Sequence, residues 1–118
     1  MSTMAQYRVL ADYEVHDPHP LRLAAGVPVT VERKDLSWPG WVWVEAAGQA
    51  GWIPENRLRE PDAAETVTDR PFDGADLSAR RGDLLRVLES APGWVCAEDG
   101  AGRRGWFPLF NLRPFPQT

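Results

Sequence analysis

One cysteine, one lysine and two histidines are all that this 118-residue chain carries of those types. Cys96 has no partner in the chain, which excludes an intramolecular disulfide and a thiolate metal cluster. His16 and His19 lie in a Pro-rich stretch, and two ligands alone rarely hold a metal, so no metal or other cofactor is expected. No run approaches the roughly 18 apolar residues of a membrane-spanning helix. The stretch Met1–Arg8 has no basic patch followed by an apolar segment; no secretory signal is expected, and the location expected is cytoplasmic. Basic clusters are missing too. The net charge of −4, from 17 acids against 13 bases, is shared evenly between residues 1–60 and 61–118, so neither half offers a basic face for nucleic acid. Among the bases only Lys34 is not Arg, a bias that suits a GC-rich bacterial genome. No Ser-His-Asp set, Gly-rich phosphate loop or carboxylate pair stands out, and an enzyme is not expected.

What the chain does have is six Trp, 11 Pro and 10 Gly, with a hydrophobic content of 43% that is ordinary for a globular protein. The Gly-Trp pairs mark an internal repeat. The first copy runs Leu21-Arg-Leu-Ala-Ala-Gly26, Val27–Val31, Gly40-Trp41-Val-Trp-Val44 and Gly51-Trp52-Ile53-Pro54. The second runs Leu77-Ser-Ala-Arg-Arg-Gly82, Asp83–Val87, Gly93-Trp94-Val-Cys-Ala97 and Gly105-Trp106-Phe107-Pro108, with a shorter loop before its first Trp. Within each copy the hydrophobic period is two. Val27, Val29 and Val31 alternate with Pro28, Thr30 and Glu32; Leu85 and Val87 flank Arg86; Val42 and Val44 alternate with Trp41 and Trp43. No helical spacing is sustained. The expected fold is all-β, with two small five-stranded barrels, because a short all-β unit removes its open edges by closing its sheet. The first barrel is expected over residues 1–60, a polar linker over 61–66, and the second barrel with a Pro-rich tail over 67–118. A barrel this small buries only about 60% of its unfolded surface, so the two are expected to pack together.

These residues resemble the Src-homology 3 (SH3) family, twice in tandem. The first copy supplies Ala11-Asp12-Tyr13-Glu14-Val15, the turn ending at Gly26, Trp41, and Gly51-Trp52-Ile53-Pro54-Glu55-Asn56-Arg57-Leu58. The second supplies Asp76-Leu-Ser-Ala-Arg-Arg-Gly82-Asp83, Trp94, and Gly105-Trp106-Phe107-Pro108-Leu109-Phe110-Asn111-Leu112. The resemblance implies a protein–protein interaction module in which two aromatics of the first long (RT) loop, the Trp, the Pro and a final Tyr groove a Pro-rich peptide. Such a peptide forms a polyproline II helix and loses little entropy on docking. Acids of the RT loop would pair with a basic side chain of that peptide.

Carried onto this chain, the resemblance implies ligand contact by Tyr13, Trp41, Trp52 and Pro54, with Glu14 and Asp17 as charge partners. In the second copy it implies Trp94, Trp106 and Pro108, with Asp73 and Asp76 as acids. Val15 stands where the second aromatic is expected and Arg57 where the final Tyr is expected. The second copy aligns Thr68 and Arg70 with the two aromatic places and Asn111 with the last. Trp41, Trp43 and Trp38 could form an aromatic platform or be consumed in an interface; Trp52 and Trp106 could edge the ligand surface or pack a hairpin. Cys96 is expected to behave as a small hydrophobe. The tail Arg113-Pro114-Phe115-Pro116 could lie in a groove or fray as an extended terminus. The expected partner is a protein or peptide with Pro, not nucleic acid or membrane. Two alternatives stand beside it: a structural or homo-oligomeric scaffold that buries the aromatics in self-contact, and cell-wall peptidoglycan binding by an exported form.

Overall fold

The computed structural model describes residues 6–15, 19–34 and 39–115. Among them run the strands β1 (Gln6–Val9), β2 (Arg22–Leu23), β3 (Pro28–Lys34), β4 (Trp41–Ala46), β5 (Gln49–Pro54), β6 (Glu65–Val67), β7 (Phe72–Asp73), β8 (Leu84–Ala91), β9 (Trp94–Glu98), β10 (Arg104–Pro108) and β11 (Leu112–Pro114). Single 3-10 turns, Glu55–Arg57 and Leu109–Asn111, follow Pro54 and Pro108. The described residues contain no α-helix, and the all-β expectation holds.

The spatial units do not follow the repeats in order. One compact unit joins residues 1–17 to 76–118; the other is the single stretch 18–75. We call them the split unit and the continuous unit. The division expected along the chain, 1–60, 61–66 and 67–118, therefore differs from the division in space. The start of each repeat is built into the body of the other. The stretch expected as a linker is hydrogen-bonded into the continuous unit, where Val31 N–H donates to the Ala64 carbonyl at 2.8 Å and β6 pairs with β3.

In the split unit the sheet order is β10-β9-β8-β1-β11, all antiparallel. β1 alternates as a half-buried strand must: Val9 enters the core while Arg8 faces out. Val9 joins Leu77, Ala79, Leu85, Val95, Ala97, Phe107 and Leu112 in one buried cluster, against which Tyr7, Tyr13 and Val87 pack. The tail differs from both expectations at Arg113–Phe115. Arg113 and Pro114 pair with β1, and the Arg8 guanidinium lies 5.1 Å above the Phe115 ring; Pro116 lies outside the described residues.

In the continuous unit the ladder β5-β4-β3-β6 accompanies the short pair β2-β7. Val29, Val42, Val44, Ile53 and Leu58 are buried with Leu21, Leu23 and Phe72. Thr68 is fully buried and satisfied: its hydroxyl donates to the Ala24 carbonyl at 2.6 Å and accepts from Val27 N–H at 2.9 Å.

Among the described residues the ladders form small all-β units but do not close into full barrels. Beyond them stand single bridges, Tyr13↔Ala79, Asp76↔Trp106 and Leu58↔Thr68. The reason is visible in the backbone bonds. At the places where a ladder would continue, Ala11 N–H goes to the Asn111 side chain and Val15 N–H to the Ser78 hydroxyl, so side chains take the place of a neighbouring strand.

Candidate functional site

Equivalent hydrogen bonds align the two units residue by residue. Gly82 N–H donates to the Val9 carbonyl as Gly26 N–H does to that of Thr68. Leu10 N–H donates to the Asn111 carbonyl as Asp69 N–H does to that of Arg57. Tyr13 bridges Ala79 as Phe72 pairs with Leu23. Phe72, not Thr68, is thus the counterpart of Tyr13, and Gly74 that of Val15. The expected alignment is corrected by four residues. A signal for this was present: Phe72-Asp73 repeats the aromatic-acid pair Tyr13-Glu14.

The split unit contains Tyr13, Glu14, Asp76, Trp94, Trp106 and Pro108, with Asp76 bridged to Trp106. Trp94 and Pro108 face each other across the end of the β9–β10 ladder. Tyr13 reaches this end from the other repeat; its ring meets that of Phe107, next to Pro108, edge-on at 5.1 Å and 71°. Tyr13 and Trp94 are half-buried, Pro108 and Trp106 buried, Glu14 exposed. Burial, followed by the negative charge of Asp76, pushes the Tyr13 phenol above its ordinary value. The phenol therefore stays a neutral hydrogen-bond donor, with a carboxylate close by. Gly105 makes room for that carboxylate's backbone. A Cβ there would stand 2.7 Å from the Asp76 carbonyl carbon and the Leu77 nitrogen, so only glycine lets this segment lie against β10.

The continuous unit holds Trp41, Trp52, Pro54 and Asp73 in another state. Trp41 is only 8% exposed and Pro54 is fully buried, opposite each other on β4 and β5. Trp52 packs edge-to-face on Trp43 at 5.3 Å. Phe72 is 3% exposed beneath the buried Arg57, whose guanidinium lies 5.4 Å above the ring and donates to the Pro71 carbonyl at 2.7 Å. Asp73 is exposed and paired with Arg22 at 3.3 Å. Residues expected together thus belong to different units: Tyr13 to one and Trp41 and Pro54 to the other, Asp76 to one and Asp73 to the other. Asp17, His16 and Trp38 lie outside the described residues. Cys96 is half-buried on β9, in register with Trp106 and Glu89.

Three residues were missed by the sequence reading: Phe72, Arg57 as its cover, and Phe110, which is 72% exposed in the turn after Pro108. The last stands one residue before the position expected for the final Tyr.

Comparison with known proteins agrees with the repeat. The family described as Variant SH3 domain matches residues 6–61, and SH3 domain matches residues 71–109. The chain is 27% identical over 126 residues to SH3 and PX domain-containing protein 2B of Mus musculus, and 26% identical to that of Homo sapiens. Those alignments cover 93% of this chain and 14% of each relative, so the chain spans only a small part of their length.

Proposed function

Because the chain belongs to the SH3 domain family, with two such domains in tandem, we propose that it recognises an extended, Pro-containing peptide mainly through its split unit. The docking face is Tyr13, Trp94 and Pro108, edged by Trp106. Asp76 and Glu14 pair with a basic side chain of the ligand. The observation that carries this reading is the arrival of Tyr13, from the first repeat, in the same unit as Trp94 and Pro108 of the second. The second repeat brings Trp94 and Pro108 without a Tyr of its own, and Tyr13 of the first repeat supplies one in the same unit, while Val15 and Asn111 stand at the two other aromatic places. A polyproline II segment presents a rigid, ridged surface that such aromatic-proline clefts accept at low entropic cost. In the continuous unit, Trp41, Trp52, Pro54 and Asp73 act mainly in packing and ion pairing.

The test is a titration of the whole chain with Pro-rich peptides, followed by indole fluorescence and amide shifts. Tyr13→Ala and Trp94→Ala should each weaken binding about thirtyfold, the scale of an interface hot spot. Unchanged affinity in both variants would remove the assignment.

A second reading, self-association, is favoured by one observation. Leu10, Leu84, Leu109 and Phe110 are all exposed, and all belong to the split unit. A solution mass equal to one chain across a wide concentration range would dismiss it.

A further inference from the structure

Asn111 occupies the place where the family resemblance expects the last aromatic of the groove, yet it is 7% exposed and faces inward to the chain's own backbone. Its Oδ1 accepts from Ala11 N–H at 3.0 Å and its Nδ2 donates to the Ala11 carbonyl at 2.9 Å. Its backbone carbonyl takes Leu10 N–H at 3.0 Å. A carboxamide carries both a donor and an acceptor, and so can match both polar groups of one backbone residue as a neighbouring strand would. The turn that carries Asn111 is itself fixed beside Trp94, since Leu109 N–H donates to the Gly93 carbonyl at 2.9 Å. One side chain therefore ties the Trp94–Pro108 end of the ladder to the segment from the other repeat.

We propose that Asn111 is a positioning residue of the peptide face: by pinning Ala11 it holds Tyr13, two residues further on, in place beside Phe107 and Pro108. This rests on the peptide reading above and adds a cause for it. Tyr13 also has bonds of its own, since it donates to the Ala79 carbonyl at 2.8 Å and accepts from Ala79 N–H at 2.9 Å. With the latch, Ala11 and Tyr13 are protected together; without it, each is protected separately.

The experiment uses the whole chain and a short synthetic polyproline peptide with one terminal Arg. Hydrogen exchange is read at the Ala11 and Tyr13 amides, and affinity by indole fluorescence. Asn111→Ala should lower affinity about tenfold, as for the loss of buried hydrogen bonds. It should also speed exchange at Tyr13, although Ala79, the acceptor of that amide, is untouched. Asn111→Asp keeps the acceptor for Ala11 N–H but sets a carboxylate against the Ala11 carbonyl. Measured as a ratio to wild type at each pH, so that protonation of Asp76 and Glu14 acts on both proteins alike, its affinity loss should shrink as pH falls and the new carboxyl regains a proton to donate. This variant keeps the proposal testable if Asn111→Ala does not fold. Wild-type exchange at Tyr13 and wild-type affinity in the Asn111 variants, with binding weakened by Tyr13→Ala, would overturn the latch alone. Wild-type binding by Tyr13→Ala would overturn the peptide reading instead, and exchange at Tyr13 would then decide the latch by itself.

Discussion

The two units bury the same positions to different extents. In the split unit Tyr13 and Trp94 are half-buried at the end of a ladder, and Asn111 is spent on backbone. In the continuous unit the equivalents, Phe72 and Trp41, are buried, and Arg57 covers Phe72 with its guanidinium. The absence of a hydroxyl at one position and a long cation at another leave the aromatic of the continuous unit covered, where its counterpart in the split unit is half-buried. Repetition of a motif thus does not imply repetition of its exposure; which side chain lies over the aromatic decides that.

This contrast can be broken in order of effect. Phe72→Ala should destabilise the chain by about 4 kcal/mol, as for a buried Phe, and Tyr13→Ala by far less; equal losses in urea unfolding would end the distinction. Gly105→Ala should cost about 3 kcal/mol, because its new methyl collides with the Asp76–Leu77 backbone, which cannot yield as a side-chain tip could. In the same titration, Trp41→Ala should leave peptide affinity nearly unchanged while Trp94→Ala lowers it by about 2 kcal/mol; the reverse would assign the ligand to the continuous unit.

The smallest effect belongs to Glu98, whose carboxylate is bonded by Arg104 at 2.7 Å and by Arg86, one from each neighbouring strand. These hydrogen bonds lower its pKa in the folded chain. The stability it adds is therefore present above the unfolded carboxylate value of about 4.3 and is lost as pH falls through the folded one. Glu98→Gln should lower Tm slightly at neutral pH and leave it unchanged in strong acid, as read by thermal melts across pH.

Much of the fold was legible because it depends on local alternation. Val29, Val42, Val44 and Leu85 are buried as their period-two spacing requires. Less of the site was legible. Tyr13, Trp94 and Pro108 could each be picked out, but not their meeting, since Tyr13 was expected with Trp41. The match of Thr68 to Tyr13 failed for a related reason. Thr68 is held by Ala24 and Val27 deep in the continuous unit, and that role leaves no mark in the residues beside it.

The sequence alone determined that there are two repeats, that both are β-structured, and that alternating aliphatic residues such as Val29, Val42, Val44 and Leu85 face their cores. Only the tertiary structure decided which opening strand joins which body. The turns Leu21–Gly26 and Leu77–Gly82 are near-equal templates, so an opening segment such as Ala11–Tyr13 finds similar backbone partners at either. Local pattern is the same for both pairings and cannot choose between them. The choice falls to groups far apart in the chain, such as the Asn111 carboxamide on Ala11 and the Arg57 guanidinium on Pro71, which exist only once the pairing is made.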